Sequence, residues 1–180
     1  MQRTSFAPTD TGRLPFRVRW WHALIFWLLV NAYGFFERGG EPYAGYQPSP
    51  LQPPGWAFPL IWLPLSLVQL WGDVRMLNAP WPIQYRAALI GLQGGLWLLY
   101  FSFNFAYFTL GSPILAMTWT IAYFIIAAFS VAFIWKDDRA IAASWLPLVL
   151  WTAYASVVAV HAVMINPDPL FGVGPRLGAG

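Results

Sequence analysis

The chain has 180 residues; 58% are hydrophobic, 19% aromatic and only 9% charged, with a formal net charge of +3. Soluble domains carry about 25% charged residues, so a water-facing globular surface is excluded, and ten basic residues scattered at the ends of apolar runs exclude a nucleic-acid surface. The absence of cysteine excludes disulfides, thiolate metal sites, iron–sulfur clusters and cysteine nucleophiles.

Residues 1–19 are polar and basic and precede the first apolar run. No small-residue cleavage site follows that run, which therefore reads as a retained span, not a signal peptide. The first predicted helix covers about Trp20 to Phe36, between Arg19 and Glu37. The stretch YQPSPLQPP cannot be regular helix, and a second helix follows it from about Gly55 to Leu77. Between Arg86 and Lys136 come 49 residues without Asp, Glu, Lys or Arg. About 20 apolar residues cross a bilayer, so this run holds two spans. Gly111-Ser112-Pro113 divides it, with the proline placed to open the later helix. The third helix is then about Pro82 to Leu110 and the fourth about Pro113 to Trp135. A charged turn, Lys136-Asp137-Asp138-Arg139, leads into the fifth, about Ala140 to Ile165, which Asn166-Pro167-Asp168-Pro169 stops. Residues 167–180 are too rich in glycine for order of their own and read as a flexible tail. The expected fold class is an all-α integral membrane protein, one five-helix bundle over residues 20–166.

Basic residues sort by side on this reading. Arg3, Arg13, Arg17, Arg19, Arg75, Arg86, Lys136 and Arg139 fall on one side, Arg38 and Arg176 on the other. The eight-to-two split predicts a cytoplasmic N-terminus. The C-terminus and the loop from Glu37 to Pro54 are then outside. The expected location is a bacterial cytoplasmic (inner) membrane.

Three segments carry a family resemblance. PPGWAFPLIWLPL, Pro53 to Leu65, resembles the start of the second helix in the TspO/MBR family of bacterial tryptophan-rich sensory proteins and mitochondrial translocator proteins. FNFAYF, Phe103 to Phe108, is similar to the family's third-helix pattern of Asn, two residues, then an aromatic. WLPLVLWTAYASVV, Trp145 to Val158, is similar to its fifth-helix pattern Leu-Pro-Tyr-x-x-Trp-x-x-Phe-Ala. The resemblance covers residues 20–166 and takes in the bacterial, CrtK-like members. It implies a TspO-like bundle that binds, transports or senses a lipophile. A non-covalent porphyrin, bacteriochlorophyll or carotenoid is the implied cofactor class. The chain departs from the pattern at Leu51-Gln52 before the proline pair, at Leu148 for the fifth-helix Tyr, at Tyr107 for the third-helix Trp, and near Ala159 for a late Asn.

The resemblance implies a ligand cavity that opens towards the long loop and is lined by Trp62, Asn104, Tyr107, Trp151 and Ala155. Broad apolar walls with one or two polar anchors suit a flat aromatic ligand, and indole offers wide contact with a donor at its edge. The plainer reading is that the twelve tryptophans fill the bundle or sit at its interfaces. Asn104 is either a ligand anchor or a bond between helices; Asn31, Gln69 and Gln93 read as the latter. His22 and His161 belong near opposite faces and cannot share a metal. One axial histidine for a tetrapyrrole is open, beside the plainer hydrogen-bonded interface histidine. Asp73, Arg75, Asp137 and Asp138 read as solvated boundary charges. Ala87, Gly91 and Gly95, four residues apart, would let two helices approach closely. The matching helix is a dimer face in bacterial relatives, so a homodimer or a larger membrane complex through the third helix is expected, against internal packing. The usual sterol-contact pattern is missing from the fifth helix, and a reversed one spans Arg13, Phe16 and Val18.

Three functions follow: a binding, transport or sensing protein for a lipophile; an accessory subunit of a larger photosynthetic pigment–protein complex; and a porphyrin-degrading enzyme. The sequence offers no nucleophile, metal cluster or acid–base pair for the last, so no catalytic residue is assigned.

Overall fold

The computed structural model describes residues 16–36 and 42–177, without the side chains of 33–36; Arg3, Arg13, Glu37 and Arg38 lie outside the described residues. The helices are α1 (Trp20–Phe36), α2 (Ala57–Asn78), α3 (Arg86–Asn104), α4 (Pro113–Ile134) and α5 (Arg139–Ile165). A π-helical turn, Phe105–Thr109, continues α3. Four of these helices are long and apolar enough to cross a membrane, and α1, at 17 residues, is the short one. Among the described residues the only strand-like pairing is a single bridge between Asp168 and Val173. The chain is an all-α membrane bundle, as its apolar runs require. Helix α3 starts at Arg86, later than Pro82, because residues 82–85 form a turn in which Arg86 N bonds Ile83 O at 3.3 Å.

Hydrogen bonds define the two ends of the bundle. At the turn end, the Asn78 side chain bonds both Val18 N and Val18 O, at 2.8 and 2.7 Å. Gln84 N there donates to Asp137 at 2.8 Å. At the loop end, the Asn166 side chain bonds both Gln47 N and Gln47 O, at 2.7 and 2.8 Å. Helices α4 and α5 pack most extensively, α3 lies on α4, α2 lies on α5, and α1 sits at the edge against α2 and α3. The α2–α5 contact depends on Gly72. A Cβ at that position would lie 2.2 Å from Ser144 Oγ and 2.6 Å from Trp145 Nε1, so only glycine lets the helices come this close.

Most polar groups inside the bundle are paired, as an apolar solvent demands, although among the described residues Asp73 Oδ1, Gln93 Nε2 and Trp151 Nε1 are buried without a partner. Gln69 Nε2 donates to Gln93 Oε1 at 3.0 Å, Tyr123 OH donates to Gln69 Oε1 at 3.3 Å, and Trp145 Nε1 reaches Gln69 O at 3.3 Å. Trp27 Nε1 donates to Ser66 Oγ at 2.8 Å and so ties α1 to α2.

The boundary charges differ from the sequence expectation. Asp73 is not solvated: it is 5% exposed and accepts from Trp97 Nε1 at 2.7 Å. Asp138 is buried too. It caps α5 by accepting from Ala140 N and Ile141 N, and pairs with Arg75 Nε at 2.9 Å. The Arg75 guanidinium also lies over the rings of Trp71 and Trp81. Arg86, counted above as an orientation signal, is 2% exposed. It donates to the carbonyls of Met76, Ala79 and Trp81 at 2.7 to 2.9 Å. Met76 O is in the last turn of α2, Ala79 O at its cap and Trp81 O just beyond, so the guanidinium sits at the helix end that the dipole makes favourable for a cation.

The C-terminal segment is ordered from outside itself. The Asp168 carboxylate accepts from Ser112 Oγ, Ile114 N, Leu170 N and Phe171 N at 2.7 to 3.0 Å. It thus fastens residues after α5 to the start of α4. Met164 O accepts from Arg176 N and Leu177 N and closes the turn. Glycine content describes the chain's local freedom, and these long-range bonds override it for residues 167–177.

With five helices and the two ends so defined, Val18 and Asn166 lie at opposite ends. Reporter fusions at the two termini should therefore report opposite sides of the membrane, and the same side for both would contradict the bundle.

Candidate functional site

A cavity of about 320 Å³ lies in the half of the bundle nearest the loop. All five helices line it: Val30 and Asn31 of α1; Phe58, Pro59, Trp62 and Leu63 of α2; Leu99 to Phe101, Phe103 and Asn104 of α3; Trp119, Thr120 and Tyr123 of α4; Trp151, Thr152 and Ala155 of α5. Its size falls at the lower end of ordinary ligand sites, about 300 to 1,000 Å³.

Four of the five expected residues, Trp62, Asn104, Trp151 and Ala155, line this cavity, and Tyr107 does not. The reason is the π turn after Asn104, in which Leu110 N bonds Phe105 O, five residues back. Each residue of such a turn advances less around the axis than in an α-helix. Tyr107 is thereby directed away from the Asn104 face, and its ring meets Tyr46 edge-on at 5.9 Å and stacks on Phe103 at 5.7 Å. Leu148, in place of the fifth-helix Tyr, is buried with Leu96, Tyr123 and Ala127.

The wall is built on Trp62. Its ring meets Tyr100, Tyr123 and Trp151 edge-on, with centroids at 5.4, 6.0 and 6.2 Å. Trp62 and Trp151 therefore form a corner, and a flat molecule would lie against them, not between them. Below, Tyr123 bonds Gln69, so the cavity floor is the buried polar layer.

Two asparagines on the wall have different circumstances. The Asn31 amide donates to Trp27 O at 2.8 Å and accepts from Tyr100 OH at 2.6 Å. The Asn104 amide has no hydrogen-bond partner among the described residues. The indoles divide in the same way. Trp27, Trp97, Trp119 and Trp145 all donate to named acceptors, whereas Trp151 Nε1 is buried without one. Buried polar groups are nearly always paired; Asp73 Oδ1 and Gln93 Nε2 are exceptions away from the cavity, whereas buried Trp151 Nε1 and the half-buried Asn104 amide both lie on its wall, where an added group would fit. All four hydroxyls on the wall are committed: Thr120 and Thr152 donate to their own helices, Tyr100 to Asn31 and Tyr123 to Gln69.

The loop over this half is pinned to α5. Tyr154 OH donates to Leu51 O, Ser49 Oγ lies 3.0 Å from His161 Nδ1, and Tyr43 OH donates to Pro167 O at 2.6 Å. Burial pushes the Tyr46 phenol above its ordinary range. His22 is at the turn end, where Nδ1 accepts from Arg19 N at 3.1 Å and the ring packs on Trp21. The two histidines are at opposite ends, and neither is among the cavity's lining residues. On α3, Ala87 and Gly91 are exposed, and a Cβ at Gly91 or Gly95 would meet nothing within 4 Å. This stripe faces out of the bundle.

Sequence reasoning missed Asn31, Tyr100, Trp119 and Tyr123 as wall residues. Trp119 and Tyr123 are one helical turn apart and so share a face. That signal was present but not distinctive in a chain with twelve tryptophans.

The model of the TspO/MBR family matches residues 22–164. No curated protein matches the chain.

The two amides should separate in thermal unfolding of the detergent-solubilised chain. Asn31→Leu leaves the Tyr100 hydroxyl without its acceptor and should cost about 1 to 3 kcal/mol. Asn104→Leu should leave the midpoint unchanged or raised. A large loss from Asn104→Leu would show a structural amide.

Proposed function

Because the chain belongs to the TspO/MBR family, we propose that its cavity holds a tetrapyrrole or carotenoid in the membrane. Membership itself makes it an integral membrane protein of a family that binds or transports lipophilic ligands such as tetrapyrroles, generally without catalysis. The observation that supports this site is the pair of unpartnered groups, the Asn104 amide and Trp151 Nε1, on an aromatic wall. Removing a wall that is desolvated against the ligand costs more than removing a lipid-facing ring. Trp151→Ala should weaken porphyrin or carotenoid binding about tenfold, or about 1.4 kcal/mol. Trp20→Ala, 75% exposed at the turn end, should change it little. Equal affinities for both variants and the parent would sink the site.

A second reading has its own observation. The outward stripe of Ala87, Gly91 and Gly95 suits a helix of a second copy, or of a larger pigment–protein complex in which this chain would be an accessory subunit. Replacing both glycines by leucine should dissociate that assembly on native gels while leaving the chain inserted. An unchanged assembly would remove the stripe from consideration.

The orientation we infer has the N-terminus in the cytoplasm of a bacterium. With Arg86 committed to closing α2, the split of basic residues is seven to two (eight less one), which still favours that sense.

A further inference from the structure

The cavity's chemistry narrows its ligand, on the premise that the cavity is the binding site. Every residue that lines it is uncharged. The groups left for a ligand are the Asn104 amide and the indole N–H of Trp151, both neutral. The basic side chains with described contacts lie elsewhere. Arg75 pairs with Asp138, and Arg86 caps α2 at the turn end. An ionised carboxylate brought into the cavity would lose its water and meet no cation on the wall. Desolvation without a counter-charge is among the most costly events in an apolar medium. A carbonyl oxygen loses far less on entry and can accept from an indole or amide N–H.

We propose that the cavity selects uncharged conjugated lipophiles that carry a carbonyl group, such as an esterified tetrapyrrole or a keto-carotenoid, over free-acid porphyrins. The carbonyl accepts from Trp151 Nε1 or from the Asn104 amide. The apolar body lies in the corner made by Trp62 and Trp151, whose rings meet at 90°.

The test compares protoporphyrin IX with its dimethyl ester, which share one ring system and differ in two charges. Binding to the full chain is measured by absorption titration in phosphatidylcholine nanodiscs, with partition into empty nanodiscs subtracted. The ester should bind at least about tenfold more tightly than the acid. Trp151→Phe, which keeps a wall and removes the N–H, and Asn104→Leu are then titrated with the ester. At least one of them should weaken it about fivefold while changing the acid little. Equal affinities, or tighter binding of the acid that Trp151→Ala abolishes, would overturn this selectivity and leave the site standing. An ester preference untouched by both variants would also overturn it, because the preference would then arise outside the cavity. Binding of neither compound would overturn the site together with its selectivity.

Discussion

One glutamine joins most of the bundle. Gln69 of α2 donates to Gln93 of α3, accepts from Tyr123 of α4 and, through its main-chain oxygen, receives the indole of Trp145 of α5. In hydrocarbon there is no water to satisfy an amide, so each of these bonds must be made within the chain. Their geometry fixes how four helices are spaced and rotated. Gly72, less than one turn further along α2, lets α5 approach closely enough for Trp145 to reach that oxygen. The apolar clusters on either side, around Met76 and Leu89 and around Leu96 and Leu148, then pack where this layer puts them.

The cavity follows from the same layer. Tyr123 is at once a partner of Gln69 and a wall residue, so the floor of the cavity is set by a hydrogen bond and not by packing alone. Above that floor the pairing rule is relaxed. Asn31 is spoken for by Tyr100 and Trp27, but Asn104 and Trp151 Nε1 are not. An aromatic wall that holds an unpartnered indole N–H and an unpartnered amide, beside hydroxyls that are already bonded, has the features expected of a binding site.

Much of the fold was legible in the residues. Apolar runs, charged turns and the Gly111-Ser112-Pro113 break placed all five helices to within a few positions. The family resemblance named Trp62, Asn104, Trp151 and Ala155, and all four line the cavity. Tyr107 was misplaced because a π turn is a matter of hydrogen-bond register, which no residue pattern in FNFAYFTL announces. Asp73 and Asp138 were misread because a charge near a helix end looks the same in sequence whether it faces water or an indole. The C-terminal segment was misread for a related reason. Its order comes from Asp168 reaching Ser112 and Ile114, more than fifty positions away, and composition carries no trace of that pairing.

The most direct measurement is the absorption spectrum of the chain extracted in mild detergent from membranes of a pigment-making bacterium. If the unpaired wall is a site for a conjugated lipophile, tetrapyrrole or carotenoid bands should co-purify in proportion to the chain, with optical activity imposed by the asymmetric wall. A colourless preparation that also fails to take up added porphyrin ester or carotenoid would contradict the account.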